Sequence, residues 1–224
     1  MVSTVNRPPD LQGRIKTRSK TVTLILWGAG GHGAVVRDAA LASCEFLKIS
    51  FIDDSAEPGS HSCGSSEGLA SLDPADHAIL VSIGDNRSRA RCFETAGKLL
   101  PPATVVHPSA IVSPSARIGE GSVIMPRAVI NAGAVIGRNC IVNTGAVVEH
   151  HCHIGDHAHV GPGSVLCGAA RLGDFVLFGA GAVACPGAVI GYGAVVGAGA
   201  VVPKSADAWC VSAGVPARVI RRAL

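Results

Sequence analysis

From Ile111 to Ala206 a single six-residue pattern repeats without insertion. Written in sixes it runs IVSPSA, RIGEGS, VIMPRA, VINAGA and on to VVPKSA, sixteen units in all. The second position (Val112, Ile118, Ile124, Ile130 and onward to Val202) is aliphatic or Phe in every unit but the one holding Ala184. The sixth is Ala, Ser or Cys except at Val176. An α-helix needs apolar residues at i, i+3, i+4 and i+7 and tolerates little glycine, and no single strand runs this far. A period this short and regular predicts a parallel β-helix, each hexad giving one short strand and one corner. The aliphatic residue fills the interior, and the small one lets the chain turn without crowding its neighbours.

Composition agrees and closes off other classes. Twenty-eight glycines and only 4% aromatic residues suit thin stacked coils better than a globular core. A formal charge of +3, with no aromatic-plus-basic stripe, argues against a nucleic-acid partner. No apolar run approaches the roughly eighteen residues of a membrane span, and the N-terminus has no apolar core of a secretory signal. The eight cysteines (Cys44, Cys63, Cys92, Cys140, Cys152, Cys167, Cys185 and Cys210) show no CxxC spacing. Cys140 and Cys152 fall at the sixth hexad position as small inward residues, so a reduced, cytoplasmic protein is expected.

Ahead of the repeat the character is different. Residues 1–21 are polar, basic and aperiodic, which predicts a disordered tail. Val22–Trp27 reads as a buried strand, followed by GAGGHG and a helix beginning near Ala34. Leu47–Ile52 is a second strand ending at Asp53 and Asp54; Ala78–Ile83 is a third, followed by GDN and a helical stretch from Arg87 to Leu99. This is a small Rossmann-like α/β unit, expected over 22–102. Pro101, Pro102 and Pro108 mark its hand-over to a β-helix domain over 103–224. Gly28, Gly30 and Gly33 match GxGxxG, and Asp53 lies where a dinucleotide fold keeps its ribose-binding acid. An NAD site is arguable on those residues, but the unit is too short for both mononucleotide halves. A nucleotide diphosphate suits it better, with helix N–H groups free for phosphate.

GAGGHG, the Asp53–Asp54 pair, the IGDN turn and EHHCHIGD at 149–156 together resemble one family. It is the bacterial sugar O-/N-acetyltransferases typified by NeuD and PglD, and the likeness covers roughly residues 22–224. The resemblance implies a left-handed β-helix of three hexads per coil, so that residues eighteen apart stack in about five coils. It implies a homotrimer with active sites between subunits, and acetyl-CoA as co-substrate with no metal. The expected acceptor is a nucleotide-linked 4-amino-deoxy sugar for surface polysaccharide; sialic acid, O-acetylated by the same machinery, is the alternative. Carried over by position, Gly31, His32 and Gly33 would lie near the sugar nucleotide, Asp53 and Asp54 near its base or ribose. Gly84 and Asn86 would edge that pocket. His150 would be the general base, His159 would meet the acetyl group, and Asn143 would bind the acceptor. Gly168, Ala180 and Ala198 would lie along the cofactor path, and Arg218, Arg221 or Arg222 would meet its phosphates.

Five of the nine histidines fall within ten residues: His150, His151, His153, His157 and His159. Imidazole, with an ordinary pKa of about 6.5, suits proton transfer at working pH. The same residues invite a zinc reading, as in the γ-class carbonic anhydrases that share the β-helix. That class needs a histidine about two coils upstream, and none lies between Ile111 and Glu149. A catalytically silent nucleotide-sugar-binding trimer is a further alternative. One departure stands out: His151 follows the base where the family carries Glu or Asp to orient the imidazole. Glu149 or another carboxylate would then substitute, or the base would work at a lower pKa. The oxyanion donor is expected in backbone near Gly168, and His153 and His157 are expected to be structural or solvated.

Overall fold

The computed structural model describes residues 22–55 and 64–223, so the expected tail at 1–21 and Cys63 lie outside the described residues. Strand β1 (Thr23–Trp27) is the centre of a three-stranded parallel sheet, between β2 (Lys48–Ile52) and β3 (His77–Val81). β1 and β3 are apolar after their first residue because both faces of the sheet are covered there, while the edge strand β2 keeps Lys48 exposed. Leu24, Leu26 and Leu80 pack with Val36, Ala39 and Ala40 of helix α1 (Gly31–Ser43). Ile25, Trp27, Ile79 and Val81 face the other way, onto Phe93 and Ala96 of helix α2 (Asn86–Ala96). Asp85 caps α2, its Oδ1 accepting from the Ser88 N–H at 2.8 Å.

Helix α1 begins at Gly31, three residues before the glycines let a sequence-based helix start. Low helix propensity argues against GHG as a first turn, yet close packing requires it. A Cβ on Gly33 would run into the carbonyl oxygen of Gly28, so only glycine lets the helix lie this close to the end of β1.

The remainder is a solenoid of two-residue strands in three parallel sheets. Ile141 pairs with Val123 below and His159 above, the eighteen-residue stacking expected of three hexads per coil. Second-position residues from Ile124 to Val202 fill the interior, interleaved with Ala128, Ala134, Cys140 and Cys152. The solenoid starts earlier than the repeat predicts and makes about six coils rather than five. Val105–Val106 already pairs with Val123–Ile124, so VVHPSA is a hexad. Pro108 is a corner residue, like Pro114, Pro126, Pro162 and Pro186 at the same position, and not a boundary. Fifth-position residues from Gly121 to Gly199 take positive φ, among them His151 at 57° and His157 at 59°. The α/β unit rests on the lower outer face of one sheet through Val105, Val123, Met125 and Ile141. No helix among the described residues is long and apolar enough to cross a membrane.

Candidate active site

A cavity of about 570 Å³ opens at the carboxyl ends of β1, β2 and β3, where ligands of open parallel sheets bind. Gly28, Gly30, Gly31, His32, Asp53, Asp54 and Gly84 line it, joined by Trp27, Ser82 and Ser88, for which the sequence carried no signal. Asp53 braces the glycine turn. Its Oδ2 accepts from the Ala29 N–H at 2.7 Å, and its Oδ1 from the Ser55 N–H and hydroxyl at 2.9 and 2.7 Å. The Ala29 bond foremost, then those from Ser55, hold its carboxyl below the usual range against the opposing effect of burial. Asp54 Oδ1 accepts from the Ser66 N–H at 2.7 Å.

Two expected cavity residues sit elsewhere. Gly33 packs on Gly28 and does not reach the cavity. Asn86 is buried at the seam with the solenoid, where its Nδ2 donates to the Phe175 and Val176 carbonyls at 3.0 and 3.1 Å. Its Oδ1 accepts from Arg89 at 2.7 Å, so the amide is already engaged on both sides.

At that seam His32 and His159 face each other, ring centroids 6.2 Å apart. Burial first, and the nearby Arg89 charge second, lower both to about 4; for His159 the Gly84 backbone opposes the shift from outside hydrogen-bonding geometry. Both rings are therefore neutral at pH 7. Asn143 Oδ1 accepts from the Thr144 N–H at 2.8 Å, which turns its Nδ2 towards His159 Nε2 at 3.0 Å. Nε2 thus accepts, and the His159 hydrogen sits on Nδ1. His159 Nδ1 and His32 Nε2 are buried without a hydrogen-bond partner among the described residues, polar atoms that a ligand or water would satisfy.

Arg89 ties these parts together, and sequence reasoning missed it. It is 1% exposed, yet no carboxylate among the described residues pairs with it. Its guanidinium donates to Ile83 and Gly84 carbonyls on the cavity wall, both at 3.1 Å, and to Asn139 and His157 carbonyls on the solenoid at 3.0 and 2.8 Å. Burial lowers its pKa to about 10, so it keeps its charge at pH 7. In sequence the segment reads only as a helical stretch from Arg87 to Leu99; the spacing with Asn86, Ala90 and Phe93 puts Arg89 on the buried stripe of α2.

His150 belongs to a separate group on another corner. The Asn143 corner and the His150 corner stand at opposite ends of the strand Val147–Val148. His150 is exposed, and its Nδ1 meets Nδ1 of His151 at 3.1 Å. Glu149 does not reach the ring: its Oε2 accepts from the His150 backbone N–H at 3.3 Å. Gly168 lies one coil above, where a Cβ would come within 2.6 Å of the His150 Cε1 and Nε2. Ala180 and Ala198 are exposed and stacked one coil apart, on the corner above Asn143. His153 points outward, while His157 is buried between Phe93 and Phe175 with Asn139 Nδ2 at 2.9 Å from its Nδ1. Arg218, Arg221 and Arg222 lie on an exposed terminal strand, Arg218–Arg222. Among the described residues no three His, Cys, Asp or Glu converge as a metal site.

A small α/β unit with a cavity at its strand ends, resting on a hexapeptide solenoid with exposed corner histidines, is the architecture of the nucleotide-sugar acyltransferases. Residues 23–96 match the PglD N-terminal domain; 133–168 match the bacterial transferase hexapeptide, and 115–150 and 169–204 the hexapeptide repeat of succinyl-transferase. The acetyltransferase domain of PglB from Neisseria gonorrhoeae is 38% identical, with a TM-score of 0.85 over 88% of this chain and 99% of that one; it has also been solved with acetyl coenzyme A. PerB from Caulobacter crescentus, solved with CoA and GDP-perosamine, is 38% identical with a TM-score of 0.82 over 88% and 96% of the chains. UDP-N-acetylbacillosamine N-acetyltransferase of Bacillus subtilis is 38% identical over 111 residues, 46% of this chain and 50% of that enzyme, so the match spans about half of this relative's length. The chain belongs to the NeuD/PglD-like sugar acetyltransferase family, with its α/β unit followed by a left-handed parallel β-helix.

Proposed function

We propose that the protein transfers the acetyl group of acetyl-CoA to the amine of a nucleotide-linked 4-amino-deoxy sugar, as a cytoplasmic step of surface-polysaccharide synthesis. The observation that carries this is the cavity at the strand ends, edged by Gly31, His32, Asp53 and Asp54 and closed against the solenoid by the His32–His159 pair. The nucleotide occupies the α/β side, with phosphate at the N–H groups opening α1. The amino sugar reaches the seam, where Asn143 and the neutral, unpartnered His159 Nδ1–H supply hydrogen bonds. The neutral amine attacks the thioester carbonyl, a C–N bond forms, and the oxyanion is met by backbone N–H near Gly168. The C–S bond then breaks. His150 Nε2 takes the proton that the nitrogen sheds, and the thiolate leaves along the corner of Ala180 and Ala198.

Within one chain the proposed base and the cavity occupy opposite ends of a solenoid face, which favours a homotrimer in which a neighbour's His150 completes the site. The outward row on that face is aliphatic throughout (Ile111, Val129, Val147, Val165, Val183, Val201), a surface suited to another copy. The test is thiol release from acetyl-CoA with UDP-, dTDP- and GDP-linked 4-amino sugars, free and CMP-linked sialic acid beside them. Release with one amino sugar, abolished in His150→Ala, is the expected result. Release only with sialic acid would move the reaction to a hydroxyl, and silence on the whole panel would overturn the assignment.

A further inference from the structure

The contact between His150 and His151 is unusual in joining like atoms, Nδ1 to Nδ1 at 3.1 Å. Such a contact holds one hydrogen: two would collide, and two lone pairs would repel. If His150 is the base, as proposed above, its Nε2 must be bare, so its own hydrogen sits on Nδ1 and is donated to His151. His151, neutral, then carries its hydrogen on Nε2, and its ring is exposed. The placement is braced on both sides. Gly133 lies one coil below His151, with room for no more than a hydrogen before Cδ2 at 3.0 Å, and Gly168 roofs His150. Glu149 is bonded to the backbone instead of the ring, so it cannot take the orienting role left open by His151. The other ionisable groups on this corner are Cys152 and, in the coils above, Cys167, Cys185 and Lys204.

We infer that His151 is the proton exit of the transfer step. The proton shed by the sugar nitrogen forms a bond to His150 Nε2; the N–H bond at His150 Nδ1 breaks as one forms at His151 Nδ1; the His151 Nε2–H bond breaks, giving that proton to water. Both rings end neutral, and one proton has moved from the amine to solvent. The rings are left in swapped tautomers, which exchange with water at two exposed side chains restores. A carboxylate, titrating near 4, would hold the proton-bearing base as an ion pair. A second imidazole has two ring nitrogens, so it can accept a proton at one and release a proton from the other.

His151→Asn separates relay from support. Asn tolerates the positive φ of 57° at this corner, as Asn139 does at 52°, and its amide oxygen can accept from His150 Nδ1 but cannot pass a proton on. With the acceptor identified in the panel, the variant should keep KM and lose kcat by about 10-fold or more in dilute buffer. Added imidazole should restore the rate in proportion to its concentration while leaving the parent enzyme unchanged. An unaltered kcat overturns the relay, and so does a loss that imidazole cannot rescue, which would make His151 a support for the ring alone. Full turnover in His150→Ala would remove the base itself and the relay with it.

Discussion

Replacing Arg89 by Met tests whether one buried cation fastens the α/β unit to the solenoid. Methionine fills similar space and has no donors. It would strand the Ile83, Gly84, Asn139 and His157 carbonyls and Asn86 Oδ1, all now bonded at 2.7 to 3.1 Å. The Ala158 carbonyl loses little, because it already accepts from the Ile141 N–H at 3.0 Å. Five stranded acceptors at about 1 kcal/mol or more each, partly offset by no longer burying a charge, give a net loss of about 4 kcal/mol. For a chain of this size that is a fall in Tm of roughly 10 °C. With only two tryptophans, a Trp209→Phe background leaves Trp27 as reporter, buried in β1 at 7% exposure. Its emission should shift red at a lower urea concentration in Arg89→Met, and Arg89→Lys should fall between, since three ammonium donors cannot cover five acceptors. A change below about 1 kcal/mol would refute the clamp, because stranded buried carbonyls cannot be that cheap.

Other outcomes follow from the same geometry. His32 and His159 titrate near 4 in the folded protein against 6.5 ordinarily. The unfolded chain therefore binds more protons between those values, and stability should be lost as pH falls from 6.5 to 4, on the order of 3 kcal/mol per ring; urea midpoints that stay flat over that window would contradict it. Gly168→Ala should leave the urea midpoint unchanged, since the ring it displaces is exposed, yet lower kcat by roughly 100-fold through misplacement of His150; parent-like turnover would count against His150 as the base. Coexpressed in equal amounts, His150→Ala and His159→Ala chains should regain activity at roughly a quarter of all interfaces if the site is shared between copies, and none if it lies within one chain. Burial pushes the Cys140 thiol up to about 12, so mass spectrometry after brief alkylation of the native protein should find Cys44 modified and Cys140 untouched.

The solenoid was legible because its residues answer to a local rule. A hexad states its own strand, corner and interior position, so Ile124 and Ala128 declare their burial without reference to anything distant. The one slip, a hexad missed at Val105, came from treating Pro108 as punctuation where the repeat already allows proline at its corners. The cavity was legible for a similar reason: glycines after a strand and an acid at the end of the next mark a strand-end site in any parallel sheet. What could not be seen were groups whose role depends on long-range contact. Asn86 and Arg89 sit in a polar, basic segment, and only the solenoid carbonyls of Asn139, His157, Phe175 and Val176 turn them inward. Likewise, no spacing rule says that two adjacent histidines will meet Nδ1 to Nδ1.

Those two hidden features divide the chemistry between them. Arg89 keeps a positive charge near His32 and His159, so neither ring can usefully take a proton at neutral pH; in the proposed reaction both serve as hydrogen-bonding groups. A cation also disfavours a protonated amine in the same seam, and the transfer requires that amine to be neutral. Proton uptake then has to occur where no buried cation opposes it and where water is near. The His150 corner meets both conditions, being exposed and set at the far end of a solenoid face from Arg89. Under the proposed reaction, binding in an electropositive seam and deprotonation on an exposed corner are incompatible in one place within a single triangular coil. In the proposed trimer a corner of one copy would meet the seam of another, which would resolve the conflict, and the aliphatic row from Ile111 to Val201 would be the surface between them.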